Sequence, residues 1–264
     1  MPVNFSFPLQ ELEYFLLILV RVTGFVTAAP FFGQNNTPHQ FKVAFSVFIS
    51  FLLYEVITPH VYLEYTTLLG YTICILREAV TGMLIGLMAN WAMQIAAFAG
   101  QIVDTNIGFS MAAQMDPATQ MNVTVSGSVY QYAFMLIFIV TGMYRWLLSA
   151  LSESYTLIPV GEATLNIDRM YEGLIGFVSD YIMIGFRIGL PVFCVILLLN
   201  GILGVMAKVA PQMNMFAVGI QLKALVGLAI LFVTMRMLPQ AAEMVFTEMR
   251  IAVVSAIEGL GGGL

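Results

Sequence analysis

Seven charged side chains lie inside long apolar stretches of this sequence. They are Arg21, Glu55, Arg77, Glu78, Asp180, Arg187 and Lys223. In an apolar medium an ionisable group marks an ion or proton pathway or a contact with a partner, unless it caps a helix end or snorkels to an interface. The number and spacing of the seven differ from those of a proton relay. We therefore give structural pairing and a transport role equal weight.

Arg77 and Glu78 are adjacent in the chain. Adjacent residues of a helix point about 100° apart, so these two side chains do not face each other. Each needs a partner from another part of the structure.

The eighteen methionines are the second unusual group. Two clusters stand out: Met111, Met115 and Met121 after Asp104, and Met206, Met213 and Met215 around Pro211. A thioether side chain is flexible and polarizable, so a ring of methionines can fill an irregular gap and reshape when something passes. A hydrophobic constriction also closes a pore by excluding water. Ordinary core filling is the competing interpretation, and the methionines taken alone favour it.

The chain lacks the residue patterns of common catalytic and metal sites. It contains no Gly-x-Ser-x-Gly elbow, no His-Glu-x-x-His and no phosphate-binding glycine loop. His39 and His60 lie near prolines in loop-like stretches, whereas Cys74 and Cys194 lie in apolar runs where thiols act as packing residues. A net charge of −5 without a basic cluster argues against nucleic-acid binding. We expect no enzyme activity, no metal and no cofactor.

The charges and the methionines must be positioned by helices in a membrane. Of the 264 residues, 60% are hydrophobic and 9% are charged, whereas about a quarter of the residues of a soluble domain are charged. Apolar runs of roughly twenty residues or more recur along the chain. They cover residues 14–32, 41–63, 68–103, 129–151, 174–206 and 215–238. We predict an all-α, polytopic integral membrane protein with long, kinked or broken helices and helical hairpins.

Prolines and polar stretches predict where these helices end. Pro59 is expected to end or kink the second helix, Pro191 to break the fifth and Pro239 to end the sixth. The third run, residues 68–103, would extend about 54 Å as one helix, against roughly 30 Å of membrane hydrocarbon. It is therefore two helices or one helix that projects from the membrane. Residues 106–122 read as a loop rich in polar and turn-forming residues.

Two further patterns concern helix packing. Gly82-x-x-x-Gly86 and Gly185-x-x-x-Gly189 each place small residues on one helix face, which favours close approach of two helices, although glycine is common in membrane helices generally. The tail, residues 241–257, reads as an amphipathic helix that lies on a membrane surface or packs on a partner. Its apolar residues are Met244, Phe246, Met249, Val253 and Ile257.

Two stretches together resemble the FliR family of flagellar type III export-gate proteins, whose virulence-secretion relatives are called SctT or SpaR. The first runs from Gly-Gln-Ile-Val-Asp at 100–104 through Gly108-Phe109 to Asp116-Pro117. The second is Met-Ala-Lys-Val-Ala-Pro-Gln-Met-Asn at 206–214, followed by Phe216, Gly219 and Lys223. The likeness extends over nearly the whole chain in length, order of apolar runs and loop positions. The Pro-Gln-Met-Asn stretch is its most specific part.

The resemblance implies a single membrane-embedded helical export-gate domain over residues 1–264, with a FliP-like portion at 1–170 and a FliQ-like portion at 171–264. One such subunit would assemble with several FliP-type and FliQ-type subunits into a closed gate, with an FlhB-type protein nearby. The gate would lie in the bacterial inner membrane at the flagellar basal body. Unfolded flagellar proteins would be its substrates.

The resemblance also implies roles for particular residues. The loop 106–122 would act as a plug in the channel, with Phe109, Met111, Met115 and Met121 as plug or constriction residues. Residues 208–223 would lie at the entrance that faces the cytoplasm, with Pro211, Gln212, Asn214 and Lys223 as partner contacts. Charges within helices would pair across subunits, namely Arg77, Glu78, Asp180 and Arg187.

Two other functions remain open at this point. A self-contained secondary transporter would use broken helices around Pro191, with Asp180 and Arg187 near a site at the membrane midplane. The two halves of the chain show no convincing inverted pair of interrupted segments, which that fold often has. A membrane scaffold without a pore would use the methionines for packing only. A transporter should be stable alone in detergent, whereas a gate subunit should need its partners.

Overall fold

The computed structural model describes residues 9–33, 37–58, 68–109 and 124–261. Every regular element in these ranges is a helix, which confirms the all-α prediction. The helices are α1 (Leu9–Ala28), α2 (His39–Val56), α3 (Leu68–Ile107), α4 (Val125–Val140), α5 (Met143–Leu157), α6 (Ile167–Val209), α7 (Met215–Thr234) and α8 (Leu238–Leu260). A short 3-10 helix, Met235–Met237, links α7 to α8.

Three helical stretches within the described ranges are long and apolar enough to cross a membrane. They are Leu69–Ile107, Ile167–Val209 and Met215–Leu260. The pair α4 and α5, bent by 69°, is a fourth candidate if it counts as one span. These stretches agree with the prediction of a polytopic membrane protein.

The third apolar run forms one helix. With 40 residues, α3 is about 60 Å long, roughly twice the thickness of the membrane hydrocarbon. The alternative of two helices is therefore wrong. Gly108 follows the helix with a φ of +97°, a left-handed conformation that glycine adopts without strain and that often ends helices. Helix α3 thus includes Asn106 and Ile107, the first two residues of the predicted loop at 106–122, and residues 110–123 lie outside the described ranges.

The predicted break at Pro191 is wrong, because α6 continues through this residue over its full 43 residues. A proline inside a helix removes the hydrogen bond to the carbonyl four residues earlier, here that of Arg187. Membrane helices tolerate interior prolines, because neighbouring helices, hydroxyl side chains, ordered waters and small local adjustments satisfy the backbone groups that the proline frees. Proline is therefore a weaker stop signal here than in a soluble helix.

The sixth run also differs from its prediction, because α7 ends at Thr234 and Pro239 lies in the first turn of α8. An N–H in the first turn has no partner within the helix, so proline is readily accepted there. The fourth run is two helices instead of one. Gly142, with a φ of +72°, separates α4 from α5.

Helix α2 buries polar side chains and exposes aromatic ones. Ser46 and Ser50 are buried, and their hydroxyls donate to carbonyls four residues earlier, at 2.8 and 2.7 Å. Phe48 and Phe51 are 60% and 57% exposed. Such a helix suits apolar surroundings on its outer face. His39, expected in a loop, is the first residue of α2.

The chain forms two compact units, each built from segments that are distant in sequence. The first consists of Met1–Trp91, Gly142–Phe177 and Met249–Leu264. The second consists of Ala92–Thr141 and Val178–Glu248. The division into a FliP-like portion and a FliQ-like portion at residue 170 rests on the resemblance alone and stays a prediction.

Glycines allow close helix packing in both units. In the first unit, a Cβ on Gly82 would overlap the carbonyl of Arg21, and a Cβ on Gly86 would lie 2.7 Å from the carbonyl oxygen of Phe25. In the second unit, Gly185 faces the ring of Phe98, which leaves no room for a side chain. The packing role expected for the two glycine pairs is therefore confirmed at these positions.

The tail forms helix α8, and most of its predicted apolar face is buried within the chain. Phe246, Met249, Val253 and Ile257 are at most 5% exposed. Met244 does not belong to the buried face, because it is 37% exposed.

Candidate functional site

The bulkiest fully buried side chain of the described ranges is charged. Arg21 of α1 is 0% exposed, and Glu78 of α3, also 0% exposed, accepts two hydrogen bonds from it. Arg21 Nε donates to Glu78 Oε2 at 2.5 Å, and Arg21 Nη2 donates to Glu78 Oε1 at 2.9 Å. This parallel pair of charge-assisted bonds is the strongest arrangement open to arginine and a carboxylate.

Groups from α5 and the turn that follows it complete the network in the first unit. Arg21 Nη1 and Nη2 each donate to the Ile158 carbonyl at 3.1 Å, and Gly161 N donates to Glu78 Oε1 at 2.8 Å. The Arg21 guanidinium lies 4.1 Å from the ring centre of Tyr155. The pair therefore ties α1, α3 and the end of α5 together.

This network corrects one sequence expectation and supports another. Glu78 was expected to pair across subunits, but its partner is Arg21 of the same chain. Arg77 and Glu78 do have different partners, as their positions on the helix required. Arg77 is exposed, and its Nη1 lies 3.5 Å from the Gly161 carbonyl oxygen.

A second polar link lies in the second unit, at the two ends of the predicted plug segment. Asp104, in the last turn of α3, is 0% exposed. Its Oδ2 accepts a hydrogen bond from Ser126 N at 2.9 Å, and its Oδ1 accepts one from the Ser126 hydroxyl. Thr124 Oγ1 accepts a hydrogen bond from Gly127 N at 3.2 Å. A carboxylate and a threonine hydroxyl thus cap the N-terminus of α4, where both are favourable.

Backbone packing reinforces this link. A Cβ on Gly100 would overlap the backbone of Gly127, so the end of α3 and the start of α4 are in close contact. The two described ends of the segment between Gly108 and Thr124 therefore lie close to each other. Phe109, half-buried, is the predicted plug residue inside the described ranges. The other three, Met111, Met115 and Met121, lie outside them.

The predicted partner contacts lie around the start of α7. Pro211, Gln212 and Asn214 are exposed, and Asn214 Oδ1 caps α7 by accepting a hydrogen bond from Ala217 N at 3.4 Å. Lys223 is half-buried. Their role as partner contacts stays a prediction.

The surface of α7 is largely apolar and open. Phe216, Leu225 and Phe232 are 68%, 68% and 80% exposed. In the most apolar window of Met215–Leu260, only 11% of the residues are buried. Lipid or the helices of other subunits must cover this surface.

Asp180 and Arg187, the remaining predicted charges, lie on α6 and line one cleft in the second unit. They form no ion pair with each other, since the salt bridge found within the described ranges is that of Arg21 and Glu78. Sequence reasoning missed the roles of Asp104 and Ser126. The signal was available in part, because serine and threonine directly before an apolar run mark a helix start.

Comparison with known proteins gives the family. The sequence profile of the bacterial export proteins, family 1, matches residues 12–249. The chain is 28% identical over 235 residues to the flagellar biosynthetic protein FliR of Bacillus subtilis, covering 88% of this chain and 90% of that protein. It is 27% identical over 244 residues to FliR of Escherichia coli, covering 91% of each. It is 25% identical over 166 residues to the surface presentation of antigens protein SpaR of Salmonella typhimurium, covering 62% of this chain and 61% of that protein. The chain therefore belongs to the bacterial export proteins of family 1, the family of FliR and SpaR.

Proposed function

We propose that this chain is a subunit of the flagellar type III protein export gate. With FliP-type and FliQ-type subunits it would form the closed channel through which unfolded flagellar proteins are secreted. The observation that carries the proposal is the family match over residues 12–249, with FliR relatives that cover about nine tenths of the chain. The proposed location is the bacterial inner membrane, at the flagellar basal body.

The exposed apolar helices support assembly with other membrane subunits. Val209 at the end of α6 is 78% exposed, and Phe232 of α7 is 80% exposed. Between membrane helices, association depends on close packing and on polar contacts, since lipid is as apolar as the side chains. The proposed partners are the FliP-type and FliQ-type subunits along these helices. An FlhB-type protein would lie near Pro211 and Gln212.

The proposed mechanism is mechanical. The segment between Gly108 and Thr124 would close the channel, with Phe109 and the methionines at 111, 115 and 121 excluding water from the constriction. The hydrogen bonds between Asp104 and Ser126 support this role, because they hold the two ends of the segment together. Flexible thioether side chains would then reshape around a passing polypeptide. No bond is made or broken in the substrate, consistent with a family of export components.

Co-purification tests the assembly. A tagged copy of the chain is expressed with FliP-type and FliQ-type subunits and, as the control, alone, and both preparations are examined by native mass spectrometry. We expect a stable complex with one copy of this chain in the first preparation. A monomer or homo-oligomer with every candidate partner present would contradict the proposal and would make transport by the isolated protein the next test.

Deletion of residues 110–121 tests the plug. This deletion leaves Asp104 and Ser126 in place, so the ends of α3 and α4 stay joined. We expect cells that carry the deletion in the assembled gate to leak ions, measured as loss of membrane potential with a fluorescent dye. The control replaces the same twelve residues with glycine and serine, which restores length without the apolar side chains. An intact membrane potential in both variants would contradict a plug at this position.

A further inference from the structure

The cleft that Asp180 and Arg187 line lies between one face of α6 and one face of α8. Its volume is about 460 Å³. Asp180, Met183, Ile184 and Arg187 share one face of α6, because they stand at positions i, i+3, i+4 and i+7. Gln240, Glu243, Met244, Thr247 and Glu248 share one face of α8 in the same way. All of these residues belong to the second unit.

The charges of the cleft are unbalanced. Three carboxylates, those of Asp180, Glu243 and Glu248, face one guanidinium, that of Arg187. None of them forms a salt bridge within the described ranges. The cleft therefore has two more acidic side chains than basic ones.

Glu248 is the most unusual member of this group. It is only 5% exposed, lines the cleft, and accepts no hydrogen bond from the part of the chain that the structure describes. Asp180, a second carboxylate, lines the same cleft. Both residues lie in helices that are apolar and long enough to cross a membrane. An ionisable side chain in such surroundings by default marks a functional contact.

The residues that line the cleft indicate which kind of chemical group would bind Glu248. In the described ranges, no group of three or more histidine, cysteine, aspartate and glutamate side chains is arranged to hold a metal ion. Met183, Ile184 and Met244 form apolar walls beside the carboxylates. A lysine or arginine side chain has matching chemistry, because its aliphatic stem packs on apolar groups while its cationic head reaches a carboxylate.

We propose that this cleft is the docking site for a lysine or arginine side chain of a partner subunit, with Glu248 and Asp180 as its counter-charges. The inference rests on the proposed function, since it requires that other subunits cover this part of the chain. A desolvated charge pair of this kind fixes the register of two helices and slows their separation.

The double variant Glu248→Gln with Asp180→Asn tests the inference in the co-expressed complex of this chain with FliP-type and FliQ-type subunits. Both changes keep the size of the side chain and remove its charge. We expect the recovery of at least one partner subunit to fall about tenfold or more, because breaking a buried charge pair at an interface usually has at least this effect. The control is Glu153→Gln. Glu153 is exposed on α5, accepts a hydrogen bond from the Ser149 hydroxyl and lies outside the cleft. The control variant should recover all subunits.

Two further measurements separate a docking defect from a folding defect. The isolated double variant should unfold at the same or a higher temperature than the unaltered chain in detergent, since it lacks the repelling carboxylates. A photo-crosslinking amino acid at Met244, which is exposed beside the cleft, should attach to a partner peptide that contains lysine or arginine. Glu248→Lys should lose this partner, and changing the identified basic residue to glutamate should restore it.

The outcomes distinguish the two proposals. If the unaltered complex assembles while the double variant recovers every subunit normally, the docking site is refuted and the export-gate proposal stands. Crosslinking at Met244 to lipid alone also refutes the docking site, because the cationic group in the cleft would then belong to a lipid headgroup and not to a partner subunit. If the unaltered chain forms no complex, both proposals fail.

Discussion

Removing one member of the buried pair Arg21–Glu78 should destabilise the fold far more than removing both. Arg21→Met leaves the Glu78 carboxylate buried with Gly161 N as its remaining donor, and Glu78→Gln leaves the Arg21 guanidinium without a counter-charge. Loss of one partner of a buried ion pair costs about 3–5 kcal/mol, so independent effects would sum to about 6–10 kcal/mol. In the double variant no charge of this pair remains buried.

The double variant loses stability where the backbone loses its hydrogen-bond partners. The Ile158 carbonyl loses both hydrogen bonds from the Arg21 guanidinium, at about 1–3 kcal/mol for an unsatisfied group, whereas Gly161 N can still donate to the amide oxygen introduced at position 78. The expected total is about 1–3 kcal/mol, well below the sum of the single variants.

Unfolding titrations in mild detergent, followed by circular dichroism, give the free energy of unfolding of the four proteins. Arg145→Met is the matched control, because Arg145 is exposed on α5, and it should change the free energy by less than about 0.5 kcal/mol. If the double variant loses as much stability as the two single variants combined, the two charges do not act as a pair and the prediction is wrong.

Three more predictions concern the cap of α4, the packing of α1 against α3 and the proline in α6. Asp104→Ala should destabilise the protein by about 1–3 kcal/mol, because α4 loses its cap, and it should raise the ion leak through the assembled gate. Ser126→Ala keeps the hydrogen bond from its backbone N–H to Asp104, so its effect in both assays should be smaller. Gly82→Val should reduce the yield of folded protein in detergent and lower its unfolding temperature, because the new side chain would overlap the Arg21 carbonyl; normal yield and stability would contradict the close approach of α1 and α3. Pro191→Ala should leave helicity unchanged by circular dichroism and raise the unfolding temperature, since α6 is continuous and regains one hydrogen bond; a fall would mean that the proline is needed.

The helices were predictable because the apolar runs that the membrane requires are long and carry few charges. Their breaks were less predictable. Pro191 was expected to interrupt α6 and does not, whereas Gly142 separates α4 from α5 and was overlooked. In membrane helices glycine and proline are both frequent, so neither residue alone indicates whether a helix stops.

The polar contacts were predictable only in part. Arg21 and Glu78 both stood out as charges in apolar runs, but they are 57 residues apart, and their pairing depends on how α1 packs against α3. The sequence contains no signal for that register apart from the glycines at 82 and 86. Asp104 and Ser126 are 22 residues apart in the sequence, and no helical period relates them.

The open apolar surface of α7 has a consequence for the life of the protein in a cell. A copy that finds no neighbours leaves Phe216, Leu225 and Phe232 without packing partners and is a target for the proteases that remove orphaned membrane proteins. In the proposed gate, its abundance would then be set by the scarcest subunit that covers α7 instead of by its own rate of synthesis. Overproduction of this chain alone would shorten its half-life and add few assembled copies.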